Sequence, residues 1–354
     1  MSAAPDPHHH DDASEDDAAH RPRCGRDRNC WCPADRGAND LDTLLASPGF
    51  AGTVLDAGVD GVAPHLPLLD QVVGVTVAGP VIMNDVGAHH APVGLGGPIR
   101  CDASRITLRL NPARLGAALV TDPAAHVPPT LRLFDADGNT AHATYLTEDS
   151  DRLAFEAIAM MGSGGEAVAP AGALDDVLAA EAERRRDADH PTAPPVAEAA
   201  TPDGIDQIEQ FDSILGDGGA YRLSMLPAGA DVGMARVPSR RVIAALEHAA
   251  LLGMPMTLAT SAPGCVQMRH DHLDGAREHR GSMVLASGTC RTMINFNLVT
   301  ECWITWAQGA WGRTGSIEVY DRHGRCSLVA TQTGSVSPET FSAWEHLMTD
   351  LAGH

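Results

Sequence analysis

The stretch Leu131-Arg132-Leu133-Phe134-Asp135-Ala136-Asp137-Gly138 reads as a strand running into a tight turn, and Val319-Tyr320-Asp321-Arg322-His323-Gly324 repeats its ending 186 positions later. In both, Gly supplies the positive φ that a tight strand connection needs, and the Asp side chain caps the turn backbone. At the same offset, Ile106-Thr107-Leu108-Arg109-Leu110 meets Thr292-Met293-Ile294-Asn295-Phe296, and Phe155 meets Phe341. An offset held across several elements marks two copies of one α/β unit. In the second copy Ser239 is placed to N-cap a helix with Val242, Ile243, Leu246, Ala249 and Ala250 on its apolar face. Gly253 ends that helix ahead of Pro255. Met256–Thr260 and Cys265–Met268 then read as strands around a Ser-Ala-Pro-Gly turn. Strand follows strand without crossover helices, so the expected class is α+β: a tandem duplication with mainly antiparallel sheets flanked by helices.

Around these units the chain divides by composition. Residues 1–39 are polar, acidic and without periodicity, and read as a disordered tail rich in His and Cys. The first unit is expected over 40–165 and the second over 205–354. Between them, 166–204 is expected to hold a helix, Ala173–Asp187, and a Pro/Ala-rich spacer at Pro191–Gly204. Acids outnumber bases 46 to 25, every base is Arg, and the net charge is -21, which argues against nucleic acid as a partner. No apolar run is long enough to span a membrane, and the acidic, His-rich start lacks the pattern of a secretory signal. Five of the eight Cys (Cys101, Cys265, Cys290, Cys302 and Cys326) sit in apolar or strand-like contexts, as buried free thiols do. The expectation is a soluble, cytoplasmic protein.

Ala235-Arg236-Val237-Pro238-Ser239, Gly253-Met254-Pro255 and Gly264-Cys265-Val266-Gln267 resemble the start of the second repeat of the HemS/ChuX/HmuS family of bacterial hemin-utilisation proteins. Leu131–Gly138 and Tyr145-Leu146-Thr147-Glu148-Asp149-Ser150-Asp151 resemble the end of its first repeat, and Thr300-Glu301-Cys302-Trp303 falls on a strand of the second. The resemblance spans about 41–160 and 205–350. It implies a cytoplasmic heme-binding protein of heme uptake and iron acquisition, which carries heme or promotes its degradation. A heme transporter or a heme oxygenase would be its partner. The family's axial His falls, in Ile208-Glu209-Gln210-Phe211, on Glu209, and a carboxylate is a poor axial ligand beside imidazole. The family's propionate-binding Arg falls on Arg109, while the corresponding basic positions of the second repeat fall on Asn295 and near Gln308, both uncharged.

The residues themselves offer other candidates. His270 and His272 flank Asp271 at the end of a strand, where positions i and i+2 point the same way, so both can face a cleft. Either can replace the missing axial ligand, with Arg269 beside it for a propionate. His89 and His90 lie in the related part of the first unit; adjacent residues of a strand point apart, so at most one serves. In the tail, Cys24, Cys30 and Cys32 follow His8, His9, His10 and His20, a donor set suited to zinc or to heme through thiolate. This allows a second reading: a diverged, heme-free regulatory or interaction module with a metal- or redox-sensing Cys/His tail. Carrier and heme-degrading enzyme both stay open, the carrier needing only binding.

Overall fold

Both turns behind the internal match form in the same way. Asp135 Oδ1 accepts the backbone N–H of Asp137 (3.0 Å) and Asn139 (2.8 Å). Asp321 Oδ1 accepts those of His323 (2.7 Å) and Arg325 (3.0 Å). Gly138 and Gly324 sit at φ +82° and +72°, a region an L side chain resists. The structure is a computed structural model that describes residues 39–100, 102–123, 127–161, 205–217, 219–227, 233–334 and 336–353. The expected tail with Cys24, Cys30 and Cys32, the helix over 173–187, the Pro/Ala spacer and Cys101 lie outside the described residues. The described residues from Asn39 onward form one compact body, opened by helix α1 (Asp40–Leu45), whose N-cap is Asn39.

The first half runs β1 (Gly52–Val54), α2 (Gly58–Val62), β2 (Asp70–Ala78), β3 (Val81–His89), β4 (Arg105–Leu110), β5 (Leu115–Thr121), β6 (Thr130–Asp135), β7 (Thr140–Ser150) and α3 (Arg152–Met160). The second half opens with two helices, α4 (Gln207–Asp217) and α5 (Ala220–Met225). There follow β8 (Ala235–Val237), α6 (Ser239–Leu251), β9 (Pro255–Ala262), β10 (Cys265–His272), β11 (Gly275–His279), β12 (Ser282–Ser287) and β13 (Cys290–Asn295). The chain ends with β14 (Val299–Gly309), β15 (Gly312–Asp321), β16 (Cys326–Thr331) and α7 (Pro338–Ala352). The strand order β1-β5-β6-β7-β2-β3 of the first half is matched by β8-β14-β15-β16-β9-β10 in the second. The α+β class and the antiparallel expectation hold, the one exception among named strands being the short parallel pairing of β3 with β4.

The halves are interlocked. Beyond its short pairing with β3, β4 pairs with β10 of the other half, and its counterpart β13 crosses over to pair with β3. Each sheet is thus completed by a strand of the other half, and both pairings occur within one chain. At the centre, Asp85 of β3 and Arg269 of β10 stand at equivalent positions and meet at 3.2 Å, both buried. Thr289 donates to the same carboxylate at 2.8 Å.

The pairing also corrects the register of the internal match. Ala78 pairs with Val81, and Ala262 with Cys265, an offset of 184 that persists through β4 and β13. Only from β6 and β15 onward, where Leu133 pairs with His142 and Val319 with Leu328, does the offset become 186. The counterpart of Arg109 is therefore Met293, not Asn295, and those of His270 and His272 are Val86 and Ala88.

The scarcity of aromatics is met by aliphatic cores. In the first half Leu66, Leu69, Ile106, Leu108 and Leu131 are buried together. In the second, α6 and α7 pack on one face of the sheet through Val242, Leu246, Trp344 and Met348. Helix α6 begins one residue earlier than expected: Pro238 takes the cap position and Ser239 opens the helix, its hydroxyl 3.7 Å from Cys302 Sγ. Gly315 lets α7 approach, since a Cβ there would stand 2.5 Å from Met348 Cγ. Its carbonyl accepts Trp344 Nε1–H at 2.8 Å. The opposite face of β15 is covered by α4 and α5 through Phe211, Ile214, Leu215 and Leu226.

Candidate functional site

β10 ends in Arg269-His270-Asp271-His272, and the last three of these line a cavity of about 680 Å³. Its apolar wall comes from Leu252, Met254 and Pro255, at the junction of α6 with β9, and from Ala343 of α7. Ala103, from the loop before β4, is the first half's contribution. The volume lies within the usual 300–1,000 Å³ of small-molecule sites.

The two imidazoles are held differently. His272 Nδ1 donates to the Gly253 carbonyl (2.9 Å), which assigns the proton to Nδ1 and leaves the lone pair on Nε2. Its backbone N–H is fixed by Asp271 Oδ1 at 2.8 Å. His270 Nδ1 bonds the Thr257 hydroxyl at 2.9 Å, and that hydroxyl bonds Thr333. Burial lowers the pKa of His270, Asp271 working against the shift while His272 and Arg269 add to it, so its ring is neutral near pH 7. Neutral imidazole is the form that ligates iron. The Nε2 edge of His270 backs onto Gly334, where a Cβ would lie 2.7 Å away. Gly334→Ala is therefore expected to break the Thr257 bond and to cost about 1–3 kcal/mol, the range for overpacking. Urea unfolding and the ring resonances of His270 are the check; an unshifted ring with unchanged stability would contradict this geometry.

The other candidates are placed elsewhere. Arg269 is not open to a ligand, because its NH1 meets Asp85 and its NH2 meets Asp271 at 2.7 Å, with 4% of the side chain exposed. For Asp85, burial raises the carboxyl pKa and the Arg269 charge opposes that rise. Arg109 is likewise held by internal partners. Its NH2 pairs with Asp212 of α4, and its NH1 donates to the Gly97 (2.9 Å) and Pro98 (3.2 Å) carbonyls. Asp212 also accepts Gly96 N–H at 2.6 Å, strapping loop 94–98 to α4 over the guanidinium.

Glu209 is exposed on α4, away from the cavity lining. The buried stripe of that helix is Gln207, Gln210, Phe211, Ile214 and Leu215, with Ile205 and Ile208 only half-buried, because Gln207 and Gln210 bond into the sheet. His89 is wholly inside the first half, bonded to Thr144 Oγ1 (3.0 Å) with its ring edge-on to His142. His90, as alternation requires, points out, to Asp102 at 3.2 Å. The lining thus brings His270 and His272 together and leaves out Arg109, Glu209 and His89.

Among the described residues no three His, Cys, Asp or Glu side chains form a group that could hold a metal ion. Four of the five thiols expected to be buried and free are so: Cys265, Cys290, Cys302 and Cys326. Burial pushes Cys265 and Cys290 up to about 12 and Cys302 to about 11, which keeps them protonated and unreactive. Sequence reasoning missed Asp85, Asp212, Arg222 and Glu318, the partners that hold the interior charges. Glu318 alone left a signal, a single acid between the apolar neighbours Ile317 and Val319.

No protein-family model matches the chain, and no curated protein matches it. Among solved structures it is similar to holo-PhuS, a heme-binding protein from Pseudomonas aeruginosa, with a TM-score of 0.64 and 17% identity over 85% of this chain and 87% of that one. The apo form of PhuS matches with a TM-score of 0.63 over the same shares. ChuS, an E. coli heme oxygenase, matches with a TM-score of 0.61 and 16% identity over 85% of this chain and 88% of that one. No helix among the described residues is long and apolar enough to cross a membrane. Superposition over 85% of this chain and 87–88% of those structures shows that the chain has the HemS/ChuX-family fold.

Proposed function

We propose that this protein binds heme in the cavity at the end of β10, as a cytoplasmic protein of heme uptake and iron supply. The observation that carries the reading is the His270/His272 pair on the wall of that cavity, with His272 presenting an Nε2 lone pair. The solved structures that share the fold belong to a heme-binding protein and a heme oxygenase, which adds support. Heme would supply an iron that imidazole can ligate; His272 would hold it, with His270 as its neighbour on the same strand face. The residues present suit a carrier, which takes heme from a transporter and gives it to a heme oxygenase. Degradation by this chain itself needs an open iron position and an outside electron donor.

The test is a hemin titration of the full chain followed by absorbance. A saturable Soret band at one heme per chain is expected, with His272→Ala weakening binding at least tenfold and His270→Ala less. A saturable band that survives the double replacement unchanged removes the cavity reading.

A second reading is favoured by Arg109 and Arg269 being consumed by internal carboxylates and by Glu209 standing exposed. In it the chain is a heme-free regulatory or interaction module, and Cys24, Cys30 and Cys32 take zinc or sense redox state. It predicts no hemin binding by residues 39–354 and a zinc content that disappears with the first 38 residues.

A further inference from the structure

The cavity wall is charged on one side only. Among the described residues, Asp271 and Glu339 are its ionisable acids, and His270 and His272 are its only basic lining groups. No described Arg lines it, and the nearest along the strand, Arg269, gives one arm to Asp85 and the other to Asp271. With both terminal nitrogens engaged and Nε buried, this guanidinium presents no accessible edge to a ligand carboxylate.

The remaining positive feature is the first turn of α7, which borders the cavity through Ser337, Glu339 and Thr340. A helix N-terminus of this length attracts anions. Here it is already served: Ser337 Oγ accepts Thr340 N–H at 3.2 Å, and the Glu339 carboxylate is held ionised by its own backbone N–H and the Ser337 hydroxyl. The whole chain adds a net charge of -21, a field that repels anions before they arrive.

On the heme reading given above, we infer that this cavity binds its ligand through iron and macrocycle and leaves both propionates unpaired in solvent. The ligand class is a metal-bearing planar macrocycle in which peripheral carboxylates contribute nothing. Asp85 and Asp271 occupy the guanidinium of Arg269, the cation nearest the cavity along the strand.

The experiment titrates the full chain with hemin, with hemin dimethyl ester and with metal-free protoporphyrin IX, at low and high salt. The ester is expected to bind as tightly as hemin or up to several-fold tighter, and the metal-free ring at least tenfold more weakly. Added salt should strengthen or leave unchanged the binding of hemin, because it screens repulsion. Glu339→Gln should raise affinity for hemin a few-fold without altering that for the ester. An ester that binds tenfold or more below hemin, or hemin binding that falls steeply with salt, overturns the inference while the heme reading stands. Saturable binding of neither compound overturns the heme reading itself.

Discussion

Replacing Glu318 by alanine is expected to destabilise the protein by about 3–5 kcal/mol, the range for stripping one partner from a buried ion pair. Its carboxylate, fully buried in β15, accepts Arg222 NH2 (2.6 Å) and Nε (3.0 Å). It also accepts Gln210 Nε2 (2.6 Å), Thr305 Oγ1 (2.7 Å) and Tyr320 OH (2.6 Å). Burial alone would raise its pKa, but the Arg222 charge and the surrounding donors outweigh it and hold the carboxyl below its ordinary range. Alanine leaves Arg222 charged, 7% exposed and without that acceptor, and strips Gln210, Thr305 and Tyr320 of theirs as well. Arg222→Met should cost less, since three neutral donors still satisfy the carboxylate. The double variant Glu318→Leu/Arg222→Met should recover part of the loss. Urea unfolding measures the totals, and hydrogen exchange over 207–225 locates them, because Gln210 and Arg222 tie α4 and α5 to the sheet. A loss under about 1 kcal/mol for Glu318→Ala would show that the pair does not anchor these helices.

That pair marks the boundary of what the sequence makes legible. Turn chemistry is local, so Asp135 with Gly138 and Asp321 with Gly324 announced the same hairpin twice, and antiparallel pairing followed from the absence of crossovers. Strand exchange is not local. β4 and β13 have the same apolar pattern whichever sheet they join, and nothing within them names the partner strand. The two-residue change of offset was hidden for the same reason: a turn match at 186 was extended to strands whose true offset is 184. Arg109 was consequently set against Asn295 when Met293 is its counterpart.

The candidate site was half legible. Period-two geometry put His270 and His272 on one wall, and both line the cavity. What failed was the availability of charge. Arg109 and Asp212 are 103 residues apart, Arg269 and Asp85 184 apart, and Arg222 and Glu318 96 apart. No spacing rule connects such pairs. An Arg in a strand looks the same whether it awaits a ligand or is already neutralised, and only the fold distinguishes the two.

The first half is expected to lose about 2 kcal/mol of stability between pH 7 and pH 5 from His89 alone. Its ring is fully buried, with Nε2 on Thr144 Oγ1 and Nδ1 lacking a partner. Burial drives its pKa down to about 3. His142, whose ring centroid is 5.5 Å away, is bonded through Nδ1 to Thr76 and has its own Nε2 unpartnered. Burial, with His89 adding to it, holds its pKa well below the ordinary value. Both groups are neutral when folded and protonate more readily when unfolded, so the unfolded chain binds more protons below about pH 6.5. Stability is therefore full above that value and falls as pH drops toward about 3, with His142 adding to the slope in the same direction. β3 carries His89 and also holds the exchanged strand β13, so acid should loosen the interlock between the halves as well as the first core. Melting temperature measured from pH 7.5 to 4.5 gives the slope. His89→Gln and His142→Gln, whatever they cost at neutral pH, should each flatten it, and the pair together most. A slope that neither replacement changes would mean that the acid sensitivity, if present, belongs to carboxylates elsewhere in the chain.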